Sequence, residues 1–405
     1  MISYFFRWKC LFHDFIGRYI TIINIPITTM FTIKTTISNY QTFSEFAEAF
    51  ALSENDLVIT QSFLYEPFIK PLNLPCTFIM QNEYGSGEPS DEMMNNILKE
   101  VKGKSYSRVI GVGGGTIIDI AKLFVLKDLD NVTNAFERKI PIVKEKRLVI
   151  VPTTCGTGSE VTNISIAEIK SKHTKMGLAD NAILPDDAVL IPELLKGLPF
   201  KFYAYSAIDA LIHAMESYLS PKANAHTQLF SQKAIEMILG VFMGIAEHGE
   251  EYRFDHLEEM LTASNFAGIA FGNAGVGAIH ALSYPLGGGY HVPHGEANYQ
   301  FLTEVFKVYF EKNPNGNIHD LNEVLARNLN IDRELLKSEP RIVYQKLDEL
   351  LGKLIPKNPL RHYSMKNSEI DEFTTSVLKT QQRLLANNYV PLDKKEIKRI
   401  YQALY

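Results

Sequence analysis

The chain has 405 residues, 46% of them hydrophobic and 21% charged, enough apolar material to bury a sizeable core in two domains or three. Its 41 Lys and Arg against 46 Asp and Glu leave a net charge of −5, which excludes a global basic field for nucleic acid. Three widely spaced cysteines, Cys10, Cys76 and Cys155, without any C-x-x-C, exclude a disulfide framework and a thiolate zinc finger, and they fit a reducing cytoplasm.

Residues 1–29 are apolar but interrupted by Arg7, Lys9, Asp14 and Arg18. The longest uncharged run, Tyr19 to Ile33, is 15 residues and contains Pro26. That falls short of the roughly 20 needed to cross a bilayer. The order of charge and apolar residues is also wrong for a secretory signal, and no A-x-A follows. The expectation is an N-terminal extension outside the fold, with Met30 as an alternative start and no membrane role.

From Ile33 to about Phe200, short apolar β-rich runs alternate with helical patterns. Asp56–Thr60, Ser107–Val112 and Arg147–Pro152 read as strands. Ser90–Val101 reads as a helix with Ser90 as N-cap. Strands that are apolar throughout, separated by helices, indicate a parallel sheet covered on both faces. Beyond Lys201 the periodicity is helical: Tyr203–Leu219, His226–Ala246, His256–Ala270, Ile342–Leu354, Ser368–Asn387 and Lys394–Leu404. The fold class expected is therefore a Rossmann-like α/β parallel-sheet domain over 30–200, then an all-helical domain over 201–405.

Two turns inside the first half carry chemistry. Gly111-Val112-Gly113-Gly114-Gly115-Thr116 follows a strand and opens a helix, the context in which free N–H groups and the helix dipole meet a phosphate. It is neither G-x-G-x-x-G nor a P-loop, and a plain turn with a Thr116-x-x-Asp119 capping box is the alternative. Pro152-Thr153-Thr154-Cys155-Gly156-Thr157-Gly158 ends the next strand in the same way, with hydroxyls and glycines suited to ribose and phosphate. Cys155 reads as a small filler rather than a reactive thiol.

In the second half, Asp209 and His213 are i and i+4 on one helix, so they point the same way, and Glu216 is spaced to support them. His280 lies on a short helix that Pro285 should stop, after which Gly287-Gly288-Gly289 lets the chain return His294 beside His280. One carboxylate and three imidazoles form an N/O ligand set without thiolate, suited to Fe(II) or Zn(II). The alternative, four separately satisfied side chains, is the common fate of single histidines, and His226, His248, His256, His319 and His362 are read that way.

GGGT-x-x-D, PTTCGTGSE, D-A-L-I-H and H-x13-H-G together resemble the iron-containing (group III) alcohol dehydrogenases, from about Met30 to Tyr405. EPSDEMMNNIL, KMGLAD, HALSYPLGG and HVPHGEANYQ read like the family's NAD-dependent 4-hydroxybutyrate dehydrogenase subgroup. The resemblance implies that Asp209, His213, His280 and His294 hold the catalytic metal. It implies that Gly114, Gly115 and Thr116 take the pyrophosphate, and that Thr153, Thr154, Thr157, Thr162 and Lys175 line the dinucleotide cleft. Two positions depart from the family's pattern. Tyr284 stands where many members carry a second histidine, and Gln61 stands where many carry the aspartate that binds the adenine ribose. The resemblance to the NAD-dependent subgroup makes NAD the cofactor expected, and because Gln61 would not repel a 2′-phosphate, NADP stays open.

The function expected is interconversion of 4-hydroxybutyrate and succinate semialdehyde, with Tyr284 and His291 as candidates for carrying the proton outward. Another small alcohol such as butanol or propanediol, or a metal-dependent hydrolase or lyase, is the alternative. The partners expected are a small molecule with a carboxylate and a terminal alcohol or aldehyde, no nucleic acid, no membrane, and further copies of the chain in a homo-oligomer. No Lys or Arg occurs in 209–216 or 273–300, so the group that meets the substrate carboxylate must come from elsewhere.

Overall fold

Each of the long strands is a run of Val, Ile and Leu, which suits a strand with helices on both faces. In the computed structural model, which describes residues 30–172 and 174–405, these runs form one six-stranded sheet. The expectation for 1–29 lies outside the described residues. The strands are β1 (Thr36–Asn39), β2 (Asp56–Thr60), β3 (Thr77–Met80), β4 (Arg108–Gly113), β5 (Arg147–Pro152) and β8 (Asp187–Leu190). They lie in the order β1-β8-β5-β4-β2-β3, and every pairing is parallel. Leu57, Ile59, Val109, Leu148 and Ile150 serve the core on one face, whereas Val58, Ile110, Val112, Val149 and Val151 serve the other.

Register is reinforced at the amino ends of the strands. Buried Asp56 accepts two hydrogen bonds from Arg108 on the neighbouring strand, at 2.5 and 2.8 Å, and buried Asp187 accepts two from Arg147, at 2.7 and 2.9 Å. At the opposite, carboxyl ends the strands lead into short helices and glycine turns. From β2 the chain builds outward to β3, then crosses back to place β4 on the other flank of β2 and continues through β5 to β8. Open parallel sheets bind ligands at the carboxyl ends beside such a reversal.

Several elements were not legible in the sequence, two strands and two helices among them. β6 (Ile164–Ile169) and β7 (Thr174–Ala179) form an antiparallel pair separate from the main sheet. Two further helices, His294–Lys312 and Asn317–Asn328, fill the second half. Ser90 caps its helix as expected, accepting from the Met93 N–H at 3.2 Å.

The helical half starts at Phe200, and its core is built by Phe200–Leu219, Ala225–His248 and Leu257–Ala274 packed on one another. The first of these is buried all round from Tyr203, so Asp209 and His213 do not occupy a separate polar face. We propose that 30–200 and 201–405 are the two domains of a single compact body, Phe31–Tyr405. Ala225–His248 is long and apolar enough to cross a membrane, the one such single helix among the described residues, and it packs within the helical core.

Two helical expectations are corrected. Pro285 does not stop the His280 helix, which runs Ala278–Tyr290 through Gly287–Gly289; reversal comes at His291, in left-handed backbone (φ 55, ψ 30). Proline removes one N–H and crowds the preceding turn, but its fixed φ is helical, and packing on the His294–Lys312 and Ile370–Thr380 helices holds the remainder. The segment 368–387 is also not one helix. It breaks at Gln381 into Ile370–Thr380 and Gln382–Leu385, and Asn387 then anchors the chain to the Val276 carbonyl at 3.1 Å.

Candidate metal centre and dinucleotide edge

The Phe200–Leu219 helix presents Asp209 and His213 one turn apart. The Ala278–Tyr290 helix brings His280, and His294 is the first residue of the helix that follows. Gly295 makes this last approach possible, because a Cβ there would stand 2.5 Å from the Tyr205 carbonyl oxygen and 3.4 Å from the Asp209 Cβ. One ligand atom from each of the four side chains lies within 4.8 Å of the others. His213, His280 and His294 each place Nε2 3.9 Å from an Asp209 oxygen.

Two of the three rings are turned by a partner behind them, whereas His294 meets Asn298 Nδ2 through its cluster-facing Nε2, at 3.1 Å. His213 Nδ1 donates to the Gly156 carbonyl at 3.1 Å, which leaves Nε2 as the lone-pair nitrogen. Glu216 accepts from His280 Nδ1 at 2.7 Å and from the Ile279 N–H at 2.8 Å, a carboxylate–histidine arrangement that aims Nε2 at the cluster. Asn298, one turn after His294, donates to Asp209 at 2.7 Å, and Ser283 donates to its carbonyl. Asn298 and Gly156 were not singled out from the sequence. For Asn298 the signal was its i+4 spacing from His294; for the Gly156 carbonyl there was none.

The electrostatics suit cation binding. Burial pushes the His213 imidazole down to about 3, and burial also lowers His294, so both are neutral at pH 7. Burial opposes a charge on His280, but the Glu216 hydrogen bond and the Glu216 and Asp209 charges outweigh it and raise its pKa. His280 Nε2 is buried with no hydrogen-bond partner. Four converging donors with one orphaned nitrogen fit a divalent cation. His294 is the most open, its side chain 40% exposed, so the mouth of the site is on its side.

At the carboxyl end of β4, Gly114 is the N-cap of the Gly115–Leu123 helix and no side chain caps it, so the capping box does not form. Thr116 donates to the Gly87 carbonyl, and Asp119 accepts from the Ile166 N–H. The second turn folds against the first. A Cβ on Gly114 would lie 3.3 Å from the Thr154 methyl, and one on Gly115 would lie 3.3 Å from the Thr157 methyl. Thr154 Oγ1 is buried without a partner, so uncapped helix N–H groups and an unused hydroxyl share one cradle, which fits a pyrophosphate. Thr153 is buried, its N–H bonded to the Gly113 carbonyl.

Thr162 stands one layer deeper: its hydroxyl accepts from Lys122 at 3.2 Å, and Lys122 also donates to Ser159 at 2.7 Å and to the Ile164 carbonyl at 2.6 Å. Burial pushes Lys122 down to about 8, against the opposing charge of Asp119. Lys175 pairs with Glu88 and would lie 3.9 Å from a Cβ on Gly287, between the two halves of the site. Cys155 is fully buried and burial pushes its thiol up to about 12, an inert filler. Tyr284, one turn after His280, is centred 6.4 Å from His294, and burial raises its phenol. His291 is exposed at the end of the same helix, outside the four-residue cluster.

The profile "Iron-containing alcohol dehydrogenase" matches residues 34–192, and "Fe-containing alcohol dehydrogenase family, C-terminal" matches 203–405. The chain belongs to the iron-containing alcohol dehydrogenase family. It is 52% identical over 369 residues to the 4-hydroxybutyrate dehydrogenase of Clostridium kluyveri, covering 91% of this chain and 98% of that one. It is 32% identical over 326 residues to long-chain-alcohol dehydrogenase 1 of Geobacillus thermodenitrificans, covering 78% and 80%. Its fold matches a solved 1,3-propanediol oxidoreductase with TM-score 0.79 at 22% identity, over 93% of this chain and 100% of that one. This dehydrogenase therefore acts on a small alcohol or aldehyde with NAD(H) and a metal ion.

Proposed function

We propose that the chain is an NAD-dependent 4-hydroxybutyrate dehydrogenase, interconverting 4-hydroxybutyrate and succinate semialdehyde. The observation that carries this reading is 52% identity to the Clostridium kluyveri enzyme over 98% of its length. The site residues support it in detail. Asp209, His213, His280 and His294 would hold the metal, Fe(II) or Zn(II), both of which accept one carboxylate and three imidazoles. Gly114, Gly115 and Thr116 would take the pyrophosphate, with Thr153, Thr154 and Thr157 beside them. Thr162, held by Lys122, and Lys175, held by Glu88, would shape the cleft. NAD follows from the subgroup's pattern, and Gln61 leaves NADP admissible because it carries no charge against a 2′-phosphate.

When bound, the metal supplies a Lewis acid at the carbinol oxygen, and the dinucleotide supplies the hydride acceptor. The protein's own work is placement. The Gly156 carbonyl and Glu216 fix the rings of His213 and His280, and the uncapped helix end at Gly115 aligns the dinucleotide. Oxidation also releases the hydroxyl proton. Tyr284, beside His294, would accept it and pass its own proton outward, with exposed His291 as the next carrier. We extend the proposal to a homo-oligomer in the cytoplasm, testable by size-exclusion mass and cell fractionation.

The deciding experiment pairs elemental analysis of anaerobically purified protein with kcat/KM for 4-hydroxybutyrate and 1-butanol. The expected result is one bound metal per chain and a clear preference for the acid. Equal or better use of butanol sinks the carboxylate-specific reading. Retained metal without an NADH absorbance change on any alcohol would point to a hydrolase or lyase.

A further inference from the structure

The reacting end of the substrate is accounted for by the cluster, but its far end needs a cation. The helical stretches that carry the four ligands contain no Lys or Arg between 209 and 216 or between 273 and 300. Two cations stand near the site in space. Lys175 influences His294, but it is already neutralised by its ion pair with Glu88. Arg383 is exposed and makes no ion pair among the described residues.

Its position is set by the break in the chain at Gln381. The turn Gln382–Leu385 packs on the Ala278–Tyr290 helix, which carries His280 and Tyr284 on one face. Asn387 locks the turn in place, donating to the Val276 carbonyl at 3.1 Å and to the Arg383 carbonyl at 3.4 Å. Gly275 (φ +80) leaves room for this, since a Cβ there would stand 2.5 Å from Asn387 Nδ2. After burial, the Arg383 charge is the largest influence on the Tyr284 phenol, and the same charge reaches His280 behind those of Glu216 and Asp209. An extended four-carbon hydroxy acid separates its two ends by roughly 5–6 Å.

We propose that the Arg383 guanidinium receives the distal carboxylate of the substrate, which makes it the residue that selects ω-hydroxy acids over plain alcohols. The inference deepens the functional reading above and rests on it. Arginine suits this role because its planar fork meets a carboxylate with two parallel hydrogen bonds, and it stays charged at any working pH.

The test is the loaded enzyme carrying Arg383→Gln or Arg383→Lys, with Lys175→Gln as comparison. Arg383→Gln should lower kcat/KM for 4-hydroxybutyrate about 10- to 100-fold, mainly through KM, and leave 1-butanol within about twofold. Arg383→Lys should recover part of the loss. In wild type, KM for the acid should rise with ionic strength, and this dependence should flatten in Arg383→Gln while KM for butanol stays flat in both. If Arg383→Gln leaves the acid-over-butanol preference intact, or lowers both substrates equally, Arg383 is not the carboxylate site, whereas the functional reading stands. A wild-type enzyme without preference for the acid overturns both. Loss of the preference in Lys175→Gln but not in Arg383→Gln assigns the role to Lys175 and overturns the proposal.

Discussion

The two halves of this site are made of different material. At the sheet edge the candidate binding groups are backbone: N–H groups at an uncapped helix end, brought close by Gly114 and Gly115, with Thr154 and Thr157 packed against them. In the helical half the candidate groups are side chains, three imidazoles and a carboxylate, of which His213, His280 and Asp209 are each held by a hydrogen bond from outside the cluster. A backbone site tolerates changes in neighbouring side chains but not an added Cβ. A side-chain site tolerates backbone adjustment but not the loss of one donor. The halves meet at Gly156, whose carbonyl sits in the second glycine turn and orients His213.

Three substitutions sharpen this contrast. The largest effect is expected from His280→Ala, which removes one donor and leaves the Glu216 carboxylate buried without its partner. Metal content by elemental analysis should fall to background, and turnover should drop by at least about 10³-fold. Full activity in a metal-free preparation would contradict the side-chain site outright.

Glu216→Gln is gentler, because the amide keeps the size and one acceptor but loses the charge that fixes His280. Metal affinity, measured by chelator competition, should weaken about 10- to 100-fold with little change in dinucleotide KM. A shift in the dinucleotide KM alone would break the separation between the halves.

The smallest effect is expected at the backbone edge. Gly158 has φ +54, and a Cβ there would stand 2.4 Å from the Gly268 Cα. Gly158→Ala should cost at least about 1–2 kcal/mol in urea unfolding, from the left-handed backbone alone. It should also raise the dinucleotide KM while the metal stays bound. Loss of metal with unchanged stability would mean that the turn serves the cluster first.

The same contrast explains what could be read in advance. The strands at 56–60, 108–113 and 147–152 and the glycine turns were legible because a strand, its turn and the next helix are contiguous, so spacing alone carries the geometry. The juxtaposition of Asp209 and His213 was legible for the same reason, one helical turn being a local fact. Local rules failed where packing overrode them. Pro285 sits inside a helix that neighbouring helices hold together, and 368–387 breaks because Asn387 is drawn to Val276. β6 alternates in burial, but two of its three buried positions are the small Ser165 and Ala167, and β7 buries only Leu178, so neither strand shows an apolar alternation in its sequence.

Residue order by itself determined the parallel sheet, the position of both glycine turns and the ligand types, since periodicity and backbone freedom act within a few residues. Folding in three dimensions decided which partners stand behind them. Asn298 against Asp209, Gly156 against His213 and Glu216 against His280 are 89, 57 and 64 residues apart in the chain. No local rule links such positions, and only the close packing of helices on the sheet's turns brings them within hydrogen-bond reach.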